Sequence, residues 1–158
     1  MMVLPKIIEW VNSLADGEYE LDIKKHRKKR SLKANNYSWA LTDQLAEKML
    51  VAGVKISKEQ MHAEMIFRYG QVMLDKNGEQ VIYSSYSDVP LPEFFPYAKE
   101  IGESELNGRI FKHYRIYRES HTYDSKEFYI LLEGIRAECI EQGIDVDSDY
   151  IKSLLGSE

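Results

Sequence analysis

Apolar positions recur with a helical period in some stretches of this 158-residue chain and alternate in others, and the two periods partition it. In residues 5–14, Ile7, Trp10, Val11 and Leu14 stand at i, i+3, i+4 and i+7. Pro5 suits the first turn of a helix there, and Ala15, Asp16 and Gly17 end it. Residues 18–26 alternate instead, with Tyr19, Leu21 and Ile23 against Glu18, Glu20, Asp22 and Lys24, which predicts a half-buried strand. Ser31 is then a suitable N-cap for a long helix to about residue 51. Its stripe of Leu32, Tyr37, Ala40, Leu41, Leu45 and Met49 is widened by Trp39, Ala46 and Leu50, and Ala52 with Gly53 closes it.

The second half is punctuated more often. Ser57, Lys58, Glu59 and Gln60 form a capping-box pattern opening a helix with Met61, Met65, Ile66 and Tyr69 inside and Gly70 as terminator. Residues 71–75 and 79–85 read as a hairpin around Asn77 and Gly78. Residues 89–96 hold three of the four prolines and cannot be regular for long. A short helix is expected over 97–101, a turn at Asn107-Gly108, and a strand over 109–118, which is rich in β-branched and aromatic residues. Asp124, Ser125, Lys126 and Glu127 open the clearest helix, striped by Phe128, Leu131, Leu132, Ile135 and Cys139 and ended by Gly143. Ser148 caps a last short helix from Asp149. The sum is one α+β domain over 1–158: a small antiparallel sheet packed with three main helices, plus short terminal helices at 1–17 and 147–158.

Charge changes this picture most. Seven of the 21 Lys and Arg residues lie between Lys24 and Lys33, where there is no acid. The remaining chain sets 14 cations against 26 acids, a balance of −12, so the positive charge is focused on one short stretch. Lys24, Lys25, Arg27, Lys28, Lys29, Arg30 and Lys33 form a basic ridge that runs into the start of the Ser31-capped helix. Free amide groups and partial positive charge at a helix start favour an anion such as phosphate, and the ridge adds to both. Nucleic acid is the expected partner. The plainer reading is a solvated loop that keeps a strand edge from aggregating. A second basic segment lies at 109–118, where Arg109, Lys112, Arg115, Arg118 and His113 interleave with Phe111, Tyr114 and Tyr117. Cations mixed with rings suit single strands, whose bases stack while the backbone meets charge. On a strand, Lys112, Tyr114 and Arg118 share one face, and Arg109, Phe111, His113, Arg115 and Tyr117 the other.

Other chemistry is sparse. The four histidines, His26, His62, His113 and His121, show no metal-ligand spacing, and no Walker, G-x-S-x-G or G-x-G-x-x-G motif occurs. No cofactor, metal site or catalytic residue is expected. Cys139 is the single cysteine, so no disulfide can form within the chain. Lys6, Glu9 and Asn12 interrupt the apolar start, against a signal peptide or membrane span. A cytoplasmic setting is expected, with no membrane partner. Five aromatic residues between Tyr83 and Tyr97 are a candidate partner surface.

Arg30-Ser31-Leu32, Asn35, Trp39-Ala40-Leu41 and Ala46 resemble the hallmark of the NinB family of bacteriophage recombination proteins. A second match runs through Glu127-Phe128, Leu131-Leu132-Glu133, Glu141 and Gly143-Ile144, so the resemblance spans roughly residues 28–146 and makes 18–146 a NinB-like core. It implies a homodimer that binds single-stranded DNA, works in a bacterial host cell and helps a recombinase load onto strands covered by single-strand-binding protein. Arg30, Asn35 and Trp39 are the motif positions it carries over. The denser Lys24–Lys29 run, the shorter Thr122-to-Glu127 spacing and residues 71–108 depart from the pattern.

These readings converge on a non-catalytic, single-strand-preferring DNA-binding protein and recombination mediator. Two alternatives stand beside it. One is a small metal-dependent nuclease using His113, His121 and Asp124. The other is an interaction module whose ridge meets an acidic partner, such as the tail of single-strand-binding protein.

Overall fold

A computed structural model of the chain describes residues 4–19 and 31–154. The helical part is built from local start signals. Helix α1 (Leu4–Asn12) comes first, with Trp10 and Val11 about half exposed. Helix α2 (Leu32–Val51) starts where Ser31, in extended backbone, accepts a hydrogen bond from the Ala34 amide. Helix α3 (Lys58–Tyr69) starts in a full capping box, Ser57 taking the Gln60 amide while the Gln60 side chain takes the Ser57 amide. Helix α4 (Ser125–Glu141) does the same with Asp124 and Glu127. Helix α5 (Asp149–Leu154) follows Ser148, whose hydroxyl accepts from the Ile151 amide at 3.3 Å.

Helices α2, α3 and α4 pack on one another, and α5 lies against α2. Their shared core holds Leu41 and Leu45 from α2, Met65 and Ile66 from α3, and Phe128, Leu131, Ile135 and Cys139 from α4, with Ile151 from α5. The α2 stripe is narrower than its sequence suggests. Leu32 and Leu50 are exposed, whereas the small polar Ser38 and Thr42 are buried with their hydroxyls bonded to backbone carbonyls one turn back.

The sheet is β1 (Ile82–Tyr86), β2 (Ala98–Leu106) and β3 (Arg109–Ile116), antiparallel in the order β1-β3-β2. Here two expectations change. The short helix over 97–101 is absent, because those residues begin β2 and pair with β3 across a tight turn at Asn107 and Gly108, whose φ values of 53° and 74° suit a hairpin. The hairpin around Asn77-Gly78 shrinks to one bridge, Leu74 to Gln80, while the following segment pairs with β3 instead. The expected strand over 18–26 is irregular at Glu18 and Tyr19, and its remainder lies outside the described residues.

Three contacts dock the sheet on the helices at the C-terminal end of β3. Phe67 of α3 meets Tyr117 edge to face at 5.4 Å. The Tyr123 hydroxyl accepts from the Gln71 amide at 2.8 Å and donates to the Arg118 carbonyl at 3.1 Å. Arg118 pairs with Glu127 at 2.8 Å. Towards Asn107 the hairpin residues 99–110 are all exposed. Among the described residues no helix is long and apolar enough to cross a membrane.

Candidate nucleic-acid interface

The first turn of α2 is the best-defined boundary of the basic ridge. Lys24, Lys25, Arg27, Lys28, Lys29 and Arg30 lie outside the described residues, as does His26. The ridge is described only from Ser31 onward. Lys33 is exposed in a first turn that contains no acid. Asn35 is half-buried, and its carbonyl accepts the Ser38 hydroxyl at 2.9 Å. Trp39 stacks on His62 of α3, centroids 4.3 Å apart and 23° from parallel, with Lys58 Nζ 5.9 Å from its ring. One face of the indole is therefore committed to joining α2 and α3.

The pleat of the sheet sorts the second basic segment. Residues paired across strands share a face. On one face Lys99 stands opposite Arg115, Ser104 opposite Phe111 and Leu106 opposite Arg109, with Ser84 beside His113 and Tyr86 beside Phe111. On the other, Glu100 stands opposite Tyr114, Glu103 opposite Lys112 and Glu105 opposite Ile110. The strands thus put Lys99, Arg109 and Arg115 on a face without acids, and Glu100, Glu103 and Glu105 on the reverse.

Individual partners refine this. Lys112, on the acidic face, pairs with Glu100 at 2.8 Å, which raises its pKa. Tyr114 is half-buried on that face. Arg118 lies beyond the strand end, so it does not extend the Lys112–Tyr114 face. It is held by Glu127, by the Thr122 carbonyl at 2.8 Å and over the Tyr123 ring, and it keeps the Glu127 carboxyl below its ordinary range. Arg109 pairs loosely with Asp88, at 3.3 Å, and lies 3.4 Å over the ring of Tyr86. Tyr86 in turn sits 4.0 Å from Phe111. The buried Arg115 Nε has no hydrogen-bond partner among the described residues. Lys99 and Tyr86 are absent from the sequence-based site: the strand that carries Lys99 has helix-forming residues, and only register shows that both join this face.

The histidines are separately engaged. His113 bridges two serines, its Nδ1 2.7 Å from Ser84 Oγ and its Nε2 2.9 Å from Ser104 Oγ. His121 Nδ1 is 2.7 Å from Glu119, and Asp124 caps α4. Among the described residues no three His, Cys, Asp or Glu side chains form a group that could hold a metal ion.

The class defined by this arrangement is an α+β fold, a helical cluster with a three-stranded antiparallel sheet docked at one end. No family model matches the chain, and no curated protein does. A solved structure described as "Structural Genomics, NinB" is similar over 96% of this chain and 86% of its own, with 18% identity and a TM-score of 0.46.

Proposed function

We propose that the chain binds single-stranded DNA and acts, without catalysis, as a mediator in phage-type recombination or replication. The observation that carries binding is the density of charge: seven cations and no acid between Lys24 and Lys33, leading into a helix start whose first turn also lacks an acid. Cations at that density on a chain of net charge −5 favour one polyanion at one place. The recombination context rests on the motif resemblance of Arg30-Ser31-Leu32, Asn35 and Trp39-Ala40-Leu41. A homodimer that cooperates with a recombinase and single-strand-binding protein belongs to the same proposal.

The test is fluorescence anisotropy with a labelled single-stranded oligonucleotide and a duplex control, at two salt concentrations, with and without magnesium. Tighter, salt-sensitive binding to the single strand without cleavage supports the reading. Reversal of Lys28, Lys29 and Arg30 to Glu is expected to abolish binding while the circular dichroism spectrum is unchanged. No binding at low salt overturns it.

A further inference from the structure

Two observations on the sheet converge on one surface. The first is the sorting of charge. A strand pleat forces neighbours in sequence to opposite faces. Strict alternation over 99–105 would set Lys99 beside Glu103 and Glu105; a β-bulge between Glu100 and Gly102 shifts the register, so that Glu100, Glu103 and Glu105 share one face and Lys99 stands on the other. A phosphate chain approaching the sheet is attracted to the face of Lys99, Arg109 and Arg115 and repelled from the reverse. The sheet therefore has one side richer in positive charge, on which Lys99 Nζ also lies 5.7 Å from the Phe67 ring of α3.

The second is a column of flat groups on that side. The Arg109 guanidinium covers Tyr86 at 3.4 Å, and Tyr86 leans on Phe111 at 4.0 Å. Guanidinium planes and aromatic rings are both surfaces on which bases stack. Besides the Tyr86 ring, Arg109 is held by an exposed ion pair to Asp88 at 3.3 Å, a contact of small energetic weight that a phosphate or a base can exchange for its own. Beside the column, Ser84 and Ser104 hold the His113 ring from both nitrogens, so the floor next to the rings is polar and fixed in place. From Arg109 to His113 the face runs about 13 Å, room for about two nucleotides.

We infer that this face of the sheet is a base-stacking platform for single-stranded DNA, with the Arg109 guanidinium and the Phe111 ring, both packed on Tyr86, receiving bases. The inference rests on the DNA-binding reading above and deepens it: the ridge attracts the backbone, and the platform distinguishes a strand with accessible bases from one without. Duplex DNA, its bases already stacked, gains nothing from such a surface.

The experiment compares oligodeoxythymidylate with an abasic oligonucleotide of the same length, which keeps the phosphates and lacks the bases. Wild type is expected to bind the thymidylate strand roughly ten-fold more tightly, within the range of one or two stacked bases. Tyr86→Ala and Phe111→Ala are expected to bring the two strands to equal affinity. Leu106→Glu, at an exposed position opposite Arg109, is expected to do the same without touching the aromatic packing. It keeps the test decisive where an aromatic truncation disturbs the fold. Lys28→Glu/Lys29→Glu/Arg30→Glu is expected to abolish binding of both strands alike, and Glu103→Gln on the reverse face to leave the preference intact. Equal affinities in wild type, or a preference that survives Leu106→Glu, overturn the platform while leaving the DNA-binding reading standing. Failure of wild type to bind either strand overturns both.

Discussion

The ring of Tyr69 lies directly on Gly134, and its hydroxyl donates to Glu138, one turn further along α4, at 2.6 Å. A Cβ at position 134 overlaps the Tyr69 ring, so glycine here is required by the approach of α3 and not by backbone conformation. Arg68 adds a second bond to Glu138 at 2.9 Å, and these two bonds hold the Glu138 carboxyl below its ordinary range. Gly134→Ala gains about 1 kcal/mol in helix propensity and forces a ring out of place, an overpacking cost of about 1–3 kcal/mol. The expected net result in urea unfolding is a loss of stability. In a Tyr69→Ala background the same substitution is expected to become stabilising, and a cycle without that reversal of sign contradicts the contact.

Much of this helical architecture is legible in sequence because capping chemistry is local. Ser31, the Ser57–Gln60 pair and the Asp124–Glu127 pair each mark a helix start from residues three apart, and the helices begin there. Strand β2 is illegible for the opposite reason. Ala98, Lys99, Glu100 and Glu103 are helix formers, and their extended state is imposed by pairing to β3 across Asn107-Gly108. The candidate site divides in the same way. Its cations can be counted in the chain, but their neutralisation by Asp88, Glu100 and Glu127 is a product of tertiary contacts. The close approach at Gly134 joins residues 65 positions apart, and no local pattern announces it.

Glu127 gives the fold a dependence on acid. Its carboxylate serves Arg118 and the Asp124 amide, and the Arg118 bond is the main cause of its depressed pKa. As pH falls below the ordinary value of 4.5, the unfolded chain takes up the proton first. The stabilisation is therefore complete above that value and is lost as pH falls through the folded pKa. Glu127→Gln keeps an oxygen for the Asp124 amide, as Gln60 does in α3, and is expected to cost about 1 kcal/mol at neutral pH through loss of the charge paired with Arg118. In thermal melts the gap between variant and wild type should close on acidification. A gap that is constant with pH contradicts the assignment.

Cys139 is fully buried on α4, its Sγ 3.6 Å from the Leu41 carbonyl of α2, and burial pushes its thiol up to about 12. The reactive thiolate is thus scarce as well as shielded. A thiol reagent such as Ellman's is expected to label the native protein only at the rate at which α2 and α4 part, and to label it at once in denaturant. Fast labelling in native buffer contradicts the packing of these helices.

The salt dependence of DNA binding should separate cations that meet phosphate from cations already neutralised. For a single strand, each phosphate neutralised contributes about 0.7 to the slope of log affinity against log salt. Lys112 already has Glu100 at 2.8 Å, so binding through it means giving up that pair. Lys112→Gln is therefore expected to leave the slope nearly unchanged. Reversal of Lys28, Lys29 and Arg30 to Glu is expected to flatten it by about 2 where residual binding is measurable at low salt. The comparison tests charge by position and not by count, since Lys112 belongs to the acidic face of the sheet. A slope that falls by a full contact in Lys112→Gln means that the ion pair with Glu100 opens in the complex. The strand then contacts the face that Glu103 and Glu105 were expected to guard.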